Sequence, residues 1–201
     1  MTQAMRFVET LPPEEVARAN FYGLLARLFY APPDAALLEA LAGAGDIEAE
    51  DGDIGAAWRD LAHAAAQYDA ETVREEYETA FVGTGKAPVT LYTGAYAVKY
   101  SNEVPLAELR GELARLGLAR REDAGEPEDH IAALCDTMRH LIAAQKRDLR
   151  EQSAFFSRWI APTFEPLCDA IDNAAHTGFY KSVGQFAKSF LMLEQSAFEM
   201  L

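Results

Sequence analysis

Gly125-Glu-Pro-Glu-Asp-His-Ile-Ala-Ala-Leu-Cys-Asp-Thr-Met-Arg-His-Leu-Ile142 carries the signature of a helix entered from a loop. Gly125 closes the loop, and Pro127 suits the first helical position, where a missing N–H costs nothing. Glu126, Glu128 and Asp129 set negative charge beside the unpaired amides and positive dipole end of a first turn. Ile131, Leu134, Cys135, Met138, Leu141 and Ile142 then recur at helical spacing and mark one buried stripe. His130 falls between the acidic mouth and the apolar face, a position open to chemistry, ligand recognition or architecture.

Helical periodicity extends outward in both directions. Pro12-Pro13-Glu14 opens a helix reaching Tyr30, with Val16, Ala17, Phe21, Leu24, Leu25, Leu28 and Phe29 at three- and four-residue steps. Ala31-Pro32-Pro33-Asp34 stops it, and Asp34 can cap a short helix bearing Leu37, Leu38 and Leu41. Gly43 to Gly55 reads as a loop. Further helices are expected around Trp58–Tyr68, over Ala70–Phe81 with a stop at Gly83, and near Ala95–Tyr100. Another runs over Glu103–Leu116 with its stop at Gly117. Arg120 to Gly125 is a charged loop, and Arg147–Trp159, Phe164–Ala175 and Phe179–Glu199 complete the helical set. The one strand-like alternation, Ala87–Tyr92, is short and contains Pro88. These readings predict an all-α protein: a compact single-domain helical bundle of irregular topology, with about eight to ten helices across residues 1–201.

Composition narrows the function. The 201 residues are 50% hydrophobic, enough for a sizeable core. Asp and Glu number 32 against 18 Lys and Arg, for a formal net charge of -14. That field repels nucleic acid and anionic lipid and favours cationic partners, including Arg-bearing peptides. Met1 to Thr10 contains no basic, apolar signal sequence, and no apolar run approaches the roughly 18 residues of a membrane span. Cys135 and Cys168 lie on apolar helix faces without metal-type spacing and read as buried thiols in a reducing cytoplasm. A cytoplasmic protein is expected, without nucleic-acid binding or membrane insertion. Monomer and domain-swapped dimer both stay open.

Few residues suggest a reaction. Gly83-Thr84-Gly85-Lys86 misses the phosphate-loop pattern, because its glycines are too close and Ala87 follows the lysine. Asp129-His130 reverses the His-Asp pair of metal-dependent phosphohydrolases, and His63, His140 and His176 stand at no ligand spacing. No Gly-x-Ser-x-Gly elbow is present. No catalytic residue and no metal ligand is assigned. The aromatic residues Tyr77, Phe81, Tyr92, Tyr96 and Tyr100 flank the irregular Val82–Tyr92 connection. They fit either core packing or a groove for a peptide with apolar and Arg residues.

Three ordered segments resemble the TorD/DmsD/NarJ family of cytoplasmic redox-enzyme maturation chaperones. They are Arg18-Ala-Asn-Phe-Tyr22-Gly-Leu24-Leu25-Ala-Arg27-Leu28-Phe29-Tyr-Ala-Pro32-Pro33, then Glu76-Tyr77-Glu-Thr-Ala-Phe81-Val-Gly83 with Pro88 and Tyr92, and then Glu126-Pro127-Glu128-Asp129-His130. Trp159-Ile-Ala-Pro162 and Phe179-Tyr180 are similar as well. The resemblance implies an all-helical chaperone that is not an enzyme. Its partners would be the catalytic subunit of a molybdenum-cofactor oxidoreductase and that subunit's twin-arginine leader peptide, held until the cofactor is inserted. Carried over by position, Tyr77, Phe81, Pro88, Tyr92, Glu126, Asp129 and His130 become the client-binding candidates. No cofactor is assigned to the chain itself, with weak guanine-nucleotide or molybdenum-cofactor contact left open. The sequence departs from the family pattern at Ala80, at Thr84 and at Leu91-Tyr92-Thr93-Gly94. Its Gly-Lys-x-Pro loop is similar to that of members associated with formate dehydrogenases; a client of the DMSO/TMAO-reductase type is the other expectation.

Overall fold

The computed structural model describes residues 11–47, 52–83, 87–97, 105–120 and 125–201. Ten α-helices lie among them: α1 (Pro13–Tyr30), α2 (Ala35–Ala42), α3 (Gly52–Gln67), α4 (Ala70–Tyr77), α5 (Gly94–Ala97), α6 (Pro105–Arg115), α7 (Ile131–Ala143), α8 (Leu149–Trp159), α9 (Phe164–Asn173) and α10 (Phe179–Glu199). No strand occurs among the described residues. The fold is all-α, as the periodicity predicts.

Two helices carry the core. Along α1, Tyr22, Leu25, Leu28 and Phe29 are buried and meet the α7 stripe of Leu134, Cys135, Met138, Leu141 and Ile142. The α1–α7 approach is close at Gly23, where an added Cβ would lie 2.9 Å from the Arg139 Cδ. Along α10, Val183, Phe186 and Phe190 are buried against α3 and α9. Phe21 joins them, packing edge-on to both Phe186 and Phe190 with ring centroids 5.4 Å apart. The expected buried thiols are also here: Cys135 and Cys168 are free and enclosed, and burial pushes both well above the ordinary thiol range.

Buried polar groups join the helix ends. Arg18 of α1 forms a two-pronged pair with Glu194 of α10, both N···O distances being 2.7 Å, and the Tyr22 hydroxyl donates to the same carboxylate. Removing one partner of such a pair leaves an uncompensated charge in the core and costs about 3–5 kcal/mol. Glu76, 8% exposed, accepts from the amides of Phe179 (3.1 Å) and Tyr180 (2.6 Å) and so caps the start of α10. Gly178, at the N-cap of α10, has no side chain to do so. The hydroxyl of Tyr180 donates to the Leu28 carbonyl, and that of Tyr77 to the carbonyls of Phe29 and Tyr30. These are carbonyls that the end of α1 would otherwise leave unpaired.

Several boundaries differ from the sequence expectation. The expected Ala70–Phe81 helix is α4 followed by a π-helical turn, Glu78–Val82, and Gly83 does end it, at φ 65°. The left-handed φ explains the glycine. The expected Gly43–Gly55 loop is shorter at its far end, because α3 begins at Gly52. The piece expected at Ala95–Tyr100 is α5, while Tyr100 lies outside the described residues, as do Thr84–Lys86 and most of the Arg120–Gly125 loop.

The largest correction concerns the opening stretch. Pro127 does not occupy the first helical position: α7 begins at Ile131. Pro127–His130 forms a turn closed by the His130 amide on the Pro127 carbonyl at 3.1 Å, and His130 is the extended N-cap residue. The acidic residues therefore precede the helix instead of forming its first turn. A proline and carboxylates serve a tight turn as well as a helix start, so local chemistry does not distinguish the two.

Candidate functional site

The turn before α7 is held by the chain near Tyr92. The Ile131 amide donates to the Leu91 carbonyl at 2.9 Å, and the Thr93 amide and hydroxyl donate to the Asp129 carbonyl at 2.8 and 2.9 Å. Tyr92 and His130 thus face each other across an antiparallel bridge. Among the described residues the alternation at Ala87–Tyr92 yields this one bridge and no sheet. Two of the three segments singled out in the sequence meet here.

Side chains build on that bridge. The His130 ring accepts the Ala132 amide at Nδ1 (3.2 Å) and caps α7. Tyr92 packs edge-on against the ring, centroids 5.4 Å apart at 80°. The Tyr92 hydroxyl reaches past it and donates to Glu126 Oε2 at 2.6 Å. This charge-assisted bond is the main reason the phenol is pushed up to about 12, since a phenolate beside the carboxylate is disfavoured. His130, 4% exposed, is held below the ordinary imidazole range by burial, with the Glu126 charge acting in the opposite direction.

The remaining carboxylates are occupied by the fold. Glu128 accepts from Arg110 Nε at 3.0 Å. Asp129 is half-buried and turned against Gly94, where an added Cβ would stand 2.7 Å from its Oδ2. Burial raises the Asp129 pKa, and the amides of Asp129 itself and Gly94 counter part of that effect. Asp129 and His130 are neighbours in sequence that point to different surroundings.

Glu126 and His130 contribute to a groove of about 670 Å³ between α1, α7 and the end of α6. Ala26 and Tyr30 line it from α1, Leu113 and Leu118 from the α6 side, and Ala132, Ala133, Asp136, Thr137 and His140 from α7. Its walls are mixed: the apolar side chains are interspersed with the carboxylates of Glu126, Glu128 and Asp136 and the rings of His130 and His140. Arg27, paired with Asp34 at 3.3 Å, and Arg120, bonded to the Glu126 carbonyl at 3.4 Å, also border it.

The seven sequence candidates separate accordingly. Glu126 and His130 line the groove, and Tyr92 buttresses both. Tyr77 is buried with its hydroxyl on α1, and Phe81 sits edge-on between Tyr77 and Tyr180 at 5.2 and 4.9 Å. Pro88 is exposed ahead of Tyr92, and Asp129 faces Gly94; neither lines the groove. The sequence reading missed Tyr30, Asp136, Thr137 and His140. A signal for three of these existed: Ala133, Asp136, Thr137 and His140 form a helical stripe of small and polar residues beside the buried face.

A second cleft, of about 640 Å³, lies between α4 and the α9–α10 connection. Its Glu76 is committed to the amides of α10, and its Lys181 pairs with Asp172 at 3.3 Å. Its principal charges are satisfied within the fold.

Comparison with known proteins gives three findings. A family model for the nitrate reductase delta subunit matches residues 47–169. The TorD chaperone proteins of Aliivibrio fischeri and Photobacterium profundum are 27% and 29% identical to the chain over 129 residues, 57% of it. These matches span 59% and 58% of the two relatives, under two thirds of their lengths. A crystal structure of a candidate redox enzyme maturation protein from Archaeoglobus fulgidus superposes with a TM-score of 0.57, over 94% of this chain and 98% of that one. At 16% identity, this is a likeness of fold.

Proposed function

Because the chain belongs to the nitrate reductase delta subunit family, the family of the TorD and NarJ chaperones, we propose that it is a redox-enzyme maturation chaperone. Its role is binding rather than catalysis. The client is a molybdenum-cofactor oxidoreductase, of the formate dehydrogenase or DMSO/TMAO-reductase type, held through its twin-arginine leader or its apo form in the cytoplasm until the cofactor is inserted. The cofactor belongs to the client.

The observation that carries this reading is the α1–α7 groove, where the apolar side chains of Tyr30, Leu113 and Leu118 share the walls with the carboxylates of Glu126 and Asp136. A twin-arginine leader presents adjacent guanidinium groups and then an apolar run. Among the described residues Glu126 is bonded at Oε2 by Tyr92 and at Oε1 by none, which suits Oε1 to a guanidinium, and the Tyr30, Leu113 and Leu118 walls suit the apolar part. A desolvated Arg–carboxylate contact contributes on the order of 1–3 kcal/mol, whereas rim contacts contribute little. The net charge of -14 adds attraction at longer range.

Calorimetric titration of the full chain with a synthetic twin-arginine leader, beside a version carrying Lys-Lys, tests this. Tighter binding of the Arg-Arg peptide is expected. Equal or absent binding of both removes the leader-binding form of the proposal, and binding only of the mature client replaces it with a NarJ-like role.

A further inference from the structure

Three carboxylates stand on the walls of the groove, and their partners hold them differently. The Glu128 side chain is 13% exposed and accepts from Arg110, and Glu126 accepts from Tyr92. Asp136 accepts at Oδ1 from Nε of Arg139, 2.7 Å away and one turn further along α7. Both side chains of this last pair are about half exposed, at 57% and 45%. Exposed pairs three residues apart on one helix shift an equilibrium by a factor of only about two to five. Of the three carboxylates, Asp136 therefore gives up its partner most readily.

Arg139 is placed by a second neighbour. Gly23 of α1 also lines the groove, and a Cβ there would stand 2.9 Å from the Arg139 Cδ. The arginine stem thus lies on bare α1 backbone at the α1–α7 seam, and its guanidinium rests on a carboxylate of the groove wall. Asp136 is five residues beyond the start of α7 at Ile131, about 8 Å along the helix axis. Glu126 precedes that start, so the two carboxylates are separate positions in one groove.

We propose that Asp136 is a second guanidinium-binding position of the groove and that Arg139 is its built-in occupant, displaced when an arginine of the bound peptide arrives. This assignment rests on the proposed leader-binding function and deepens it: Glu126 takes one arginine of the pair and Asp136 the other. Guanidinium replaces guanidinium, so the charge balance at Asp136 is kept. The incoming group can bond both carboxylate oxygens, whereas Arg139 reaches Oδ1 through Nε alone. A peptide without the arginine that faces Asp136 leaves the internal pair intact. Arg139 so sets a threshold that a single cation does not pass.

Calorimetric titration of the full chain with an Arg-Arg leader, and with versions carrying Arg-Gln and Gln-Arg, tests this. Arg139→Met keeps an unbranched stem to lie over Gly23 and removes the guanidinium. Arg59→Gln, on α3, which does not line the groove, removes the same charge elsewhere. Arg139→Met should bind the Arg-Arg leader about two- to fivefold more tightly, and Arg59→Gln should not. Asp136→Asn should bind it about tenfold more weakly and cease to distinguish it from one of the two Gln versions. In the Asp136→Asn background the gain from Arg139→Met should vanish. Because the pair is half-exposed, unfolding midpoints of all variants should stay within about 2 °C of the unmodified protein.

Unchanged or weaker binding by Arg139→Met would overturn the inference, as would an equal gain in the Asp136→Asn background or in Arg59→Gln. So would an Asp136→Asn loss of the same size for all three leaders, which would reduce Asp136 to general attraction. Each of these outcomes leaves the proposed function standing. Absence of any binding of the Arg-Arg leader by the unmodified protein would overturn both readings together.

Discussion

Glu76-Tyr77 and Glu126–His130 both lie at helix ends, both combine a carboxylate with a ring, and both belong to the segments that resemble the chaperone family. Their fates differ. In the first, Glu76 receives two amides of α10 and the Tyr77 hydroxyl bonds to the Phe29 and Tyr30 carbonyls. Those groups face the interior, and the fold uses their bonding capacity to join α4 to α1 and α10. In the second, the backbone pairs with Leu91–Thr93, and among the described residues the Glu126 carboxylate on the groove is bonded by Tyr92 alone. A polar motif can therefore be structural or functional according to whether the fold exhausts its hydrogen bonds. Residue type alone does not distinguish the two outcomes.

The largest effect expected of this contrast is at Glu76. Glu76→Ala leaves two buried amides unsatisfied and should lower stability by about 3 kcal/mol or more, read from the urea unfolding midpoint. Peptide affinity below the transition should stay unchanged; a groove-specific loss would break the comparison. Tyr77→Phe comes next. Removing a hydroxyl bonded to two carbonyls should cost about 1–2 kcal/mol in stability. If it weakened leader binding instead, Tyr77 would rejoin the client-binding set expected of it by resemblance.

Tyr92→Phe should act in the reverse sense. Tyr92 is 39% exposed, so stability should change by less than about 0.5 kcal/mol. Affinity for the Arg-Arg leader should shift severalfold, because Glu126 loses the bond that orients its carboxylate. An unchanged affinity in calorimetry would show that Glu126 needs no such orientation.

The smallest expected effect is a pH slope. His130 has a lower pKa folded than unfolded, so between those values the unfolded chain binds more protons. Its contribution to stability is present above the ordinary imidazole value of about 6.5 and is lost as pH falls through the depressed folded value. Protonation would also remove the Nδ1 lone pair that caps α7. Unfolding midpoints of the unmodified protein and His130→Asn should therefore converge or cross as pH drops from 7 toward 5, and parallel curves would show that the ring's charge state does not matter to the fold.

How much of this was legible depended on distance along the chain. The buried stripe of α7, the stop at Gly83 and the enclosed thiols follow from short-range patterns, and the helices arise where those patterns lie. The start of α7 was misread because Pro127, Glu126 and Glu128 satisfy local rules for a turn and a helix equally. The deciding bonds come from Leu91 and Thr93, nearly forty residues earlier, and no local rule contains them. His130 as a cap was hidden for a related reason: side-chain capping is a habit of Ser, Thr, Asp and Asn. The five aromatic residues were left between core and groove, and four of them now divide, Tyr77, Phe81 and Tyr96 packing inward and Tyr92 standing at the surface beside Glu126.

Sequence by itself determined that this chain is helical, acidic and built on periodic apolar stripes, because periodicity and net charge are sums over neighbouring residues. Only the tertiary structure decided which of its motif residues remain available to a ligand. That choice depends on bonds between α1, α7, α10 and the Tyr92 segment, groups brought together by packing rather than by order in the chain.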